Sequence, residues 1–235
     1  MALAHGDAVI ERSETVGQSH SSRVLPMAQQ LLADAGVALS ALDAVAFGAG
    51  PGSFTGLRIA CGVAQGLAYG IDRPVVPVGN LAALAFNAAQ EQPAARRIVA
   101  AIDARMNEVY WALYETTGEP ARPLVERIAP SLSAAAALPA QLHTAFDGEA
   151  ADTLAGEAFA VFAGALDAIP AARRLPQARA SAGAILRLAQ RAFARGEAVA
   201  PAQAAPLYVR DRVAQTIEER QTARSAVELA TGAVR

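Results

Sequence analysis

The run Gly48-Ala49-Gly50-Pro51-Gly52-Ser53-Phe54-Thr55-Gly56-Leu57-Arg58 constrains this chain more than any other stretch. Four glycines and a proline fall within nine residues, between an apolar segment at 44–47 and a long apolar segment at 57–69. Glycine costs backbone entropy inside an ordered element and proline lacks an amide donor, so the run cannot continue either neighbour. It predicts a tight turn from a buried strand into a helix, with Ser53 or Thr55 as the cap and free amides at the helix start. Such a turn can cradle an anion or simply pack closely, and Gly50, Gly52, Ser53, Thr55 and Gly56 are its candidate residues for either role. Two phosphate motifs fail against it. A Walker loop needs Gly-Lys-Ser/Thr where this chain has Gly56-Leu57-Arg58, and the glycine spacing is not G-x-G-x-x-G.

Hydrophobic periodicity extends the reading on both sides. Apolar runs at 1–4 and 8–12 bracket the turn at 5–7 and read as a hairpin. A helix is predicted over 21–35, with Val24, Leu25, Ala28, Leu31 and Leu32 on one face and Gly36 as its stop. The helix at 57–69 is apolar on nearly all sides, so it must be covered on more than one of them. Gly62 and Gly66, four residues apart on that helix, allow another backbone to come close. A strand at 75–78 and a helix at 81–89 follow. Next come a strand at 98–102, a turn at 103–107 and a half-buried strand at 108–114. A strand at 124–128, a helix at 181–195 and a short strand at 206–209 complete the elements. The alanine-rich stretch 130–176 carries little signal. The divisions expected are a first lobe at 1–97, a second at 98–217 and a disordered tail at 218–235.

Composition excludes several chemistries. All 20 basic residues are arginine, which removes Schiff-base lysines and the phosphate-loop lysine. A net charge of −2 with 5% aromatic residues does not suit a strong RNA binder acting alone. The single cysteine, Cys61, and three histidines are scattered, so no disulfide framework, metal site or cofactor is expected. No uninterrupted apolar span nears twenty residues and no cleavable leader is visible, so a cytoplasmic chain with no membrane partner is expected. No nucleophile–base set stands out, so no catalytic residue is assigned. Asp103, Arg105 and Glu108 in the predicted turn, with Arg210, are candidates for a ligand cleft or for ordinary turn ion pairs.

Four segments carry a resemblance. GAGPGSFTGLRIACGVAQGLAYG at 48–70 resembles the signature segment of the TsaB (YeaZ) family, and SHSSRVLPMAQQLLADAG at 19–36 is similar to that family's first helix. VAAIDARMNEVYWALYE at 99–115 and APLYVRDRVA at 205–214 resemble its mid-chain hairpin and C-terminal segment. The resemblance implies an α/β chain with the two-lobed actin-like ATPase (ASKHA, ribonuclease H-like) fold. It further implies a non-catalytic subunit of the complex that places threonylcarbamoyl on the tRNA adenosine beside the anticodon. The expected partners are the catalytic subunit TsaD, as a heterodimer, and the ATPase TsaE. A homodimer is expected when TsaD is absent, and tRNA is reached through the complex. The pairing surface would be the first two helices, with Ile59, Val63, Gln65, Gly66 and Leu67 joining the five residues of the first helix. The alternative is a stand-alone ATP-dependent phosphotransferase or peptidase of the same superfamily. Family members open with a strand like LAIDTS, absent here, so a start site assigned too late is expected. A sheet without that strand would leave backbone groups unpaired.

Overall fold

The computed structural model describes residues 1–6, 8–14 and 20–210. Its first half contains β1 (Ala2–His5), β2 (Ala8–Glu11), α1 (His20–Ala35), β3 (Val45–Gly50), α2 (Phe54–Gly70), β4 (Val75–Gly79) and α3 (Asn80–Glu91). The second half contains β5 (Arg97–Arg105), β6 (Glu108–Thr116), β7 (Leu124–Ala134), α4 (Leu138–Ala145) and β8 (Ala151–Ala155). It continues with α5 (Ala158–Val161), α6 (Ala163–Leu166), β9 (Ala171–Leu175) and α7 (Ala182–Ala194). The expected tail at 218–235 lies outside the described residues.

β5, β6 and β7 form an antiparallel meander, and β8 and β9 continue the same sheet in parallel, giving the order β7-β6-β5-β8-β9. Successive residues of β5 serve opposite layers. Ile98 and Ala100 pack with Leu81, Leu84 and Tyr114, whereas Val99 and Ala101 pack with Trp111, Leu138, Leu154 and Phe159. A central strand covered on both faces reads as a continuous apolar run, as this one does. β6 departs from the half-buried strand expected of it. Ala112 is fully buried and Tyr114 nearly so, because α3 covers the face that sequence alternation assigned to solvent. Inside the second layer, the Trp111 indole N–H donates to Ser133 Oγ at 3.0 Å, and Ser133 Oγ donates to Gln141 Oε1 at 2.7 Å. Replacing Ser133 with Ala leaves both groups without their partner. We expect a loss of ~1–3 kcal/mol, read as a lower urea midpoint at unchanged m-value.

The first half is assembled differently. β1 and β2 form one antiparallel pair, β3 and β4 a separate parallel pair, and among the described residues no strand joins the two. Met1 and Arg12 exchange both main-chain hydrogen bonds. Alternation along the ladder then directs the main-chain groups of Ala2 and Ala4 away from β2. Both pairs pack against α7, and α1 packs on β1, β2 and α2. Glu11 of β2 fastens the hairpin to α7, its Oε1 accepting from the Gly183 amide at 3.1 Å, while Ser181 caps the same helix through Ala184 N. A carboxylate is well placed there, because the first turn of a helix carries unpaired amides and partial positive charge.

A candidate partner surface beside the glycine turn

β3 ends in the glycine turn, and α2 starts at Phe54, three residues earlier than periodicity indicates, because Ser53 caps it. Ser53 Oγ accepts from Gly56 N at 3.4 Å, and Thr55 lies exposed on the first turn. Neighbouring groups fill the space over the turn. A Cβ at Gly48 would collide with the Asn80 carboxamide, and one at Gly50, where φ is +120°, would stand 2.9 Å from the Leu207 carbonyl oxygen. At Gly52 it would stand 3.3 Å from Asn80 Nδ2, which itself donates to the Pro51 carbonyl at 3.1 Å. Asn80 therefore bridges the start of α3 to the turn, a contact the sequence reading did not assign.

α2 divides into three faces. Leu57, Cys61, Ala64 and Ala68 form the buried stripe at helical spacing. Burial pushes the Cys61 thiol pKa up, and its Sγ lies 3.5 Å from the Ala204 carbonyl, so this cysteine packs as a small apolar residue. A second face carries the half-buried Ile59, Val63 and Leu67. The third face is open. Among the described residues, Cβ atoms built on Gly62, Gly66 and Gly70 would meet nothing within 4 Å. On α1, Leu25 is exposed, Val24, Ala28 and Leu32 are half-buried, and Leu31 is buried within the chain. Gln65 turns inward, its Nε2 donating to the carbonyls of Pro201 at 3.1 Å and Ala204 at 3.0 Å. The α1–α2 region thus gathers the ten residues assigned to the pairing surface, but Leu31 and Gln65 are spent on the chain's own packing.

Residues 204–210 run as an extended strap across this region rather than the short strand expected at 206–209. One main-chain bond, Leu207 N to Ala49 O at 2.7 Å, holds the strap beside β3. Beyond it, Arg58 Nε donates to the Tyr208 hydroxyl at 3.0 Å, and the Arg58 guanidinium lies 3.7 Å from the Phe54 ring centroid. At Arg210 the strap meets the β5–β6 hairpin. There Arg210 Nη2 donates to Glu108 Oε2 at 2.7 Å and to the Ala104 carbonyl at 2.8 Å. Asp103 does not join that pair. Its carboxylate accepts from the Arg105 amide at 2.7 Å and from Arg105 Nη1 at 3.0 Å. Arg105, Met106 and Asn107 all have positive φ, so the turn is a left-handed one built without glycine. The four candidate cleft residues therefore meet at one hairpin, three on it and Arg210 reaching it from the strap, but form two separate ion pairs. Among the described residues no three His, Cys, Asp or Glu side chains are grouped to hold a metal ion, and no helix is long and apolar enough to cross a membrane.

Comparison with known proteins agrees with this geometry. Residues 12–220 match the family model described as TsaD, tRNA N6-adenosine threonylcarbamoyltransferase. The chain is 50% identical over 112 residues to the tRNA threonylcarbamoyladenosine biosynthesis protein TsaB of Haemophilus influenzae, covering 48% of this chain and 47% of that protein. It is 45% identical over 115 residues to the protein of the same name from Escherichia coli, covering 49% of each. The matched region thus spans about half the length of these curated relatives. Among solved structures, YeaZ from Pseudomonas aeruginosa superposes with a TM-score of 0.76 at 41% identity, over 88% of this chain and 92% of that one. A crystal structure described as an uncharacterized protein with similarity to peptidase YeaZ, from the same organism, gives 0.79 at 40% identity, over 89% and 93%. The fold is the actin-like ATPase fold of the ASKHA group, and with these relatives the chain belongs to the TsaB (YeaZ) family.

Proposed function

We propose that this chain is a non-catalytic subunit in the biosynthesis of threonylcarbamoyladenosine on tRNA, and that it acts by pairing with the catalytic subunit TsaD through the α1–α2 surface. The relatives named TsaB support the pathway. The observation that carries the pairing surface is the open glycine face of α2. Glycine in a helix interior costs ~0.5–1 kcal/mol relative to alanine. Gly62 and Gly66 incur that cost where, among the described residues, no neighbour needs the space. A partner backbone lying close against α2 supplies the missing reason. In this reading the chain holds TsaD in its active arrangement, TsaE joins the assembly, and tRNA is engaged through the complex. The same face explains a homodimer formed when TsaD is absent, since related lobes offer interchangeable patches.

Alanine at these glycines separates folding from pairing. Gly62→Ala and Gly66→Ala are each expected to raise the stability of the isolated chain by ~0.5–1 kcal/mol in chemical unfolding. The same variants are expected to weaken capture of TsaD, because the added methyl groups occupy the approach. Alanines that stabilise the chain and leave pairing untouched would move the surface elsewhere. The direct test is co-expression with TsaD of the same organism, affinity capture of one subunit and mass determination of the eluted species. A stoichiometric heterodimer is the expected result, and two folded proteins that ignore each other would remove the reading.

A further inference from the structure

Two charges stand at opposite ends of the open side of α2. Arg58 heads the line Arg58, Gly62, Gly66, Gly70 and is the one charged residue in the helix. Its guanidinium is held by the Phe54 ring at 3.7 Å and by the Tyr208 hydroxyl, which takes its Nε proton at 3.0 Å. Asp72 lies exposed just past the Gly70 end of the same line. Among the described residues neither side chain belongs to an ion pair. Asp72 is also at the unfavourable end. The last carbonyls of a helix carry partial negative charge, and α2 has no basic residue in its last turn to offset them. Between the two charges, three turns after Arg58 on the same side, stands Tyr69. It is 81% exposed, more than any other large apolar side chain among the described residues.

Resting on the pairing surface proposed above, we propose the geometry of its self-association: a second copy of this chain docks antiparallel across α2, and Arg58 of each copy meets Asp72 of the other. The two charges lie ~21 Å apart along the helix, at 1.5 Å per residue. Their midpoint in sequence is Gln65, so a two-fold axis there brings both ends into register and makes the contact twice, as an isologous interface does. The same register sets Tyr69 one residue from Gly62 of the second copy, on the side where the described residues leave room for an aromatic ring. Each Arg58 then lies beside the carbonyl end of the other α2 as well as beside Asp72, which supplies the cation that this end lacks. The Arg fork matches a carboxylate in two parallel hydrogen bonds. On α1 the one acid, Asp34, is already held by Arg12 and by Gln30 Nε2. Arg73 follows Asp72, but its amide is bonded back to the Ala68 carbonyl at 2.9 Å and the chain leads from it into β4. A parallel arrangement would set Arg58 against Arg58 and Asp72 against Asp72, and like charges there oppose docking.

The test is sedimentation equilibrium of the full chain and of its Arg58→Asp and Asp72→Arg variants, each alone and the two mixed in equal amounts. Either variant alone is expected to self-associate ~10–100-fold more weakly, because like charges then face each other at both ends. The mixture is expected to recover the dimer, since every contact in it pairs a guanidinium with a carboxylate. Arg73→Ala is the control and should leave the dimer unchanged or tighter. A mixture no tighter than either variant alone overturns the antiparallel pairing. So does an unaltered chain that stays monomeric at high concentration. Capture of TsaD is read beside each sample. Variants that lose TsaD but keep their self-association assign the two charges to that partner and overturn the proposal. Val63→Glu separates the geometry from the surface. If it breaks the homodimer while the charge reversals do not, the surface stands and the geometry falls. If it changes neither the homodimer nor capture of TsaD, the surface itself is wrong.

Discussion

Val63→Glu is expected to abolish capture of TsaD while leaving this chain folded. Val63 is half-buried on α2, next in sequence to Gly62 of the glycine face. In the isolated chain a glutamate there can extend its carboxylate into water, so the cost is that of an ordinary surface change, about 0.5 kcal/mol. Once a partner covers the face, the same carboxylate is buried without a counter-charge, which costs ~3–5 kcal/mol. At ~1.4 kcal/mol per tenfold, that is a loss of at least a hundredfold in affinity. Thermal unfolding of the variant beside an equilibrium binding measurement reads both halves of the expectation. Normal pairing by a folded variant would place the partner on another surface.

A larger effect on folding itself is expected from Gly156→Ala. Gly156 follows β8 at a φ of +117°, a region closed to side-chain-bearing residues. A Cβ built there overlaps the Ala101 carbonyl oxygen of β5 and stands 2.9 Å from Leu84 Cδ2 of α3. The backbone cannot swing aside cheaply, because Gly156 N is bonded to the Leu175 carbonyl at 3.0 Å and its own carbonyl accepts from Phe159 N at 3.3 Å. Strain and overpacking therefore coincide in the buried centre of the five-stranded sheet. We expect a loss of ~4 kcal/mol or more, which lowers the melting temperature by roughly 10 °C in a chain of this size or prevents soluble expression. Gly164→Ala is the control, since its Cβ meets nothing within 4 Å. If both alanines are tolerated equally, the packing described between β5 and the β8–α5 junction is wrong.

The elements that sequence disclosed most fully are those in which one periodicity dominates. α1 begins one residue before its expected start, and α2 is lengthened by its cap. The hairpin of β5 and β6 is where alternation put it, but the solvent face assigned to β6 is buried, because alternation cannot count the layers above a sheet. β7 runs to Ala134 instead of stopping at 128, since Pro130 and the small residues after it give no strand signal. The alanine-rich stretch concealed β8 and β9 together with α4, α5 and α6. Alanine fits a helix or a buried strand equally well, and Ala151, Ala155 and Ala158 are all buried without announcing which. The residues assigned to the pairing surface could be placed on α1 and α2 from periodicity and glycine spacing, and the described residues leave the glycine side of α2 open. The aromatic and charged parts of that surface had no such signal. Arg58 and Tyr208 lie 150 residues apart, and no local pattern predicts a contact closed by a single main-chain bond at Leu207.

The strap at 204–210 has a consequence for how the two halves of the molecule are tied. Its Leu207 amide is bonded to Ala49 of β3, and Arg210 is bonded to Glu108 and to the Ala104 carbonyl on the β5–β6 hairpin. A short span of chain thus works as a tether between the glycine turn and a hairpin of the five-stranded sheet. A change in the seating of α2 at Arg58 and Tyr208 pulls on that tether, so the turn and the hairpin lie on one mechanical line.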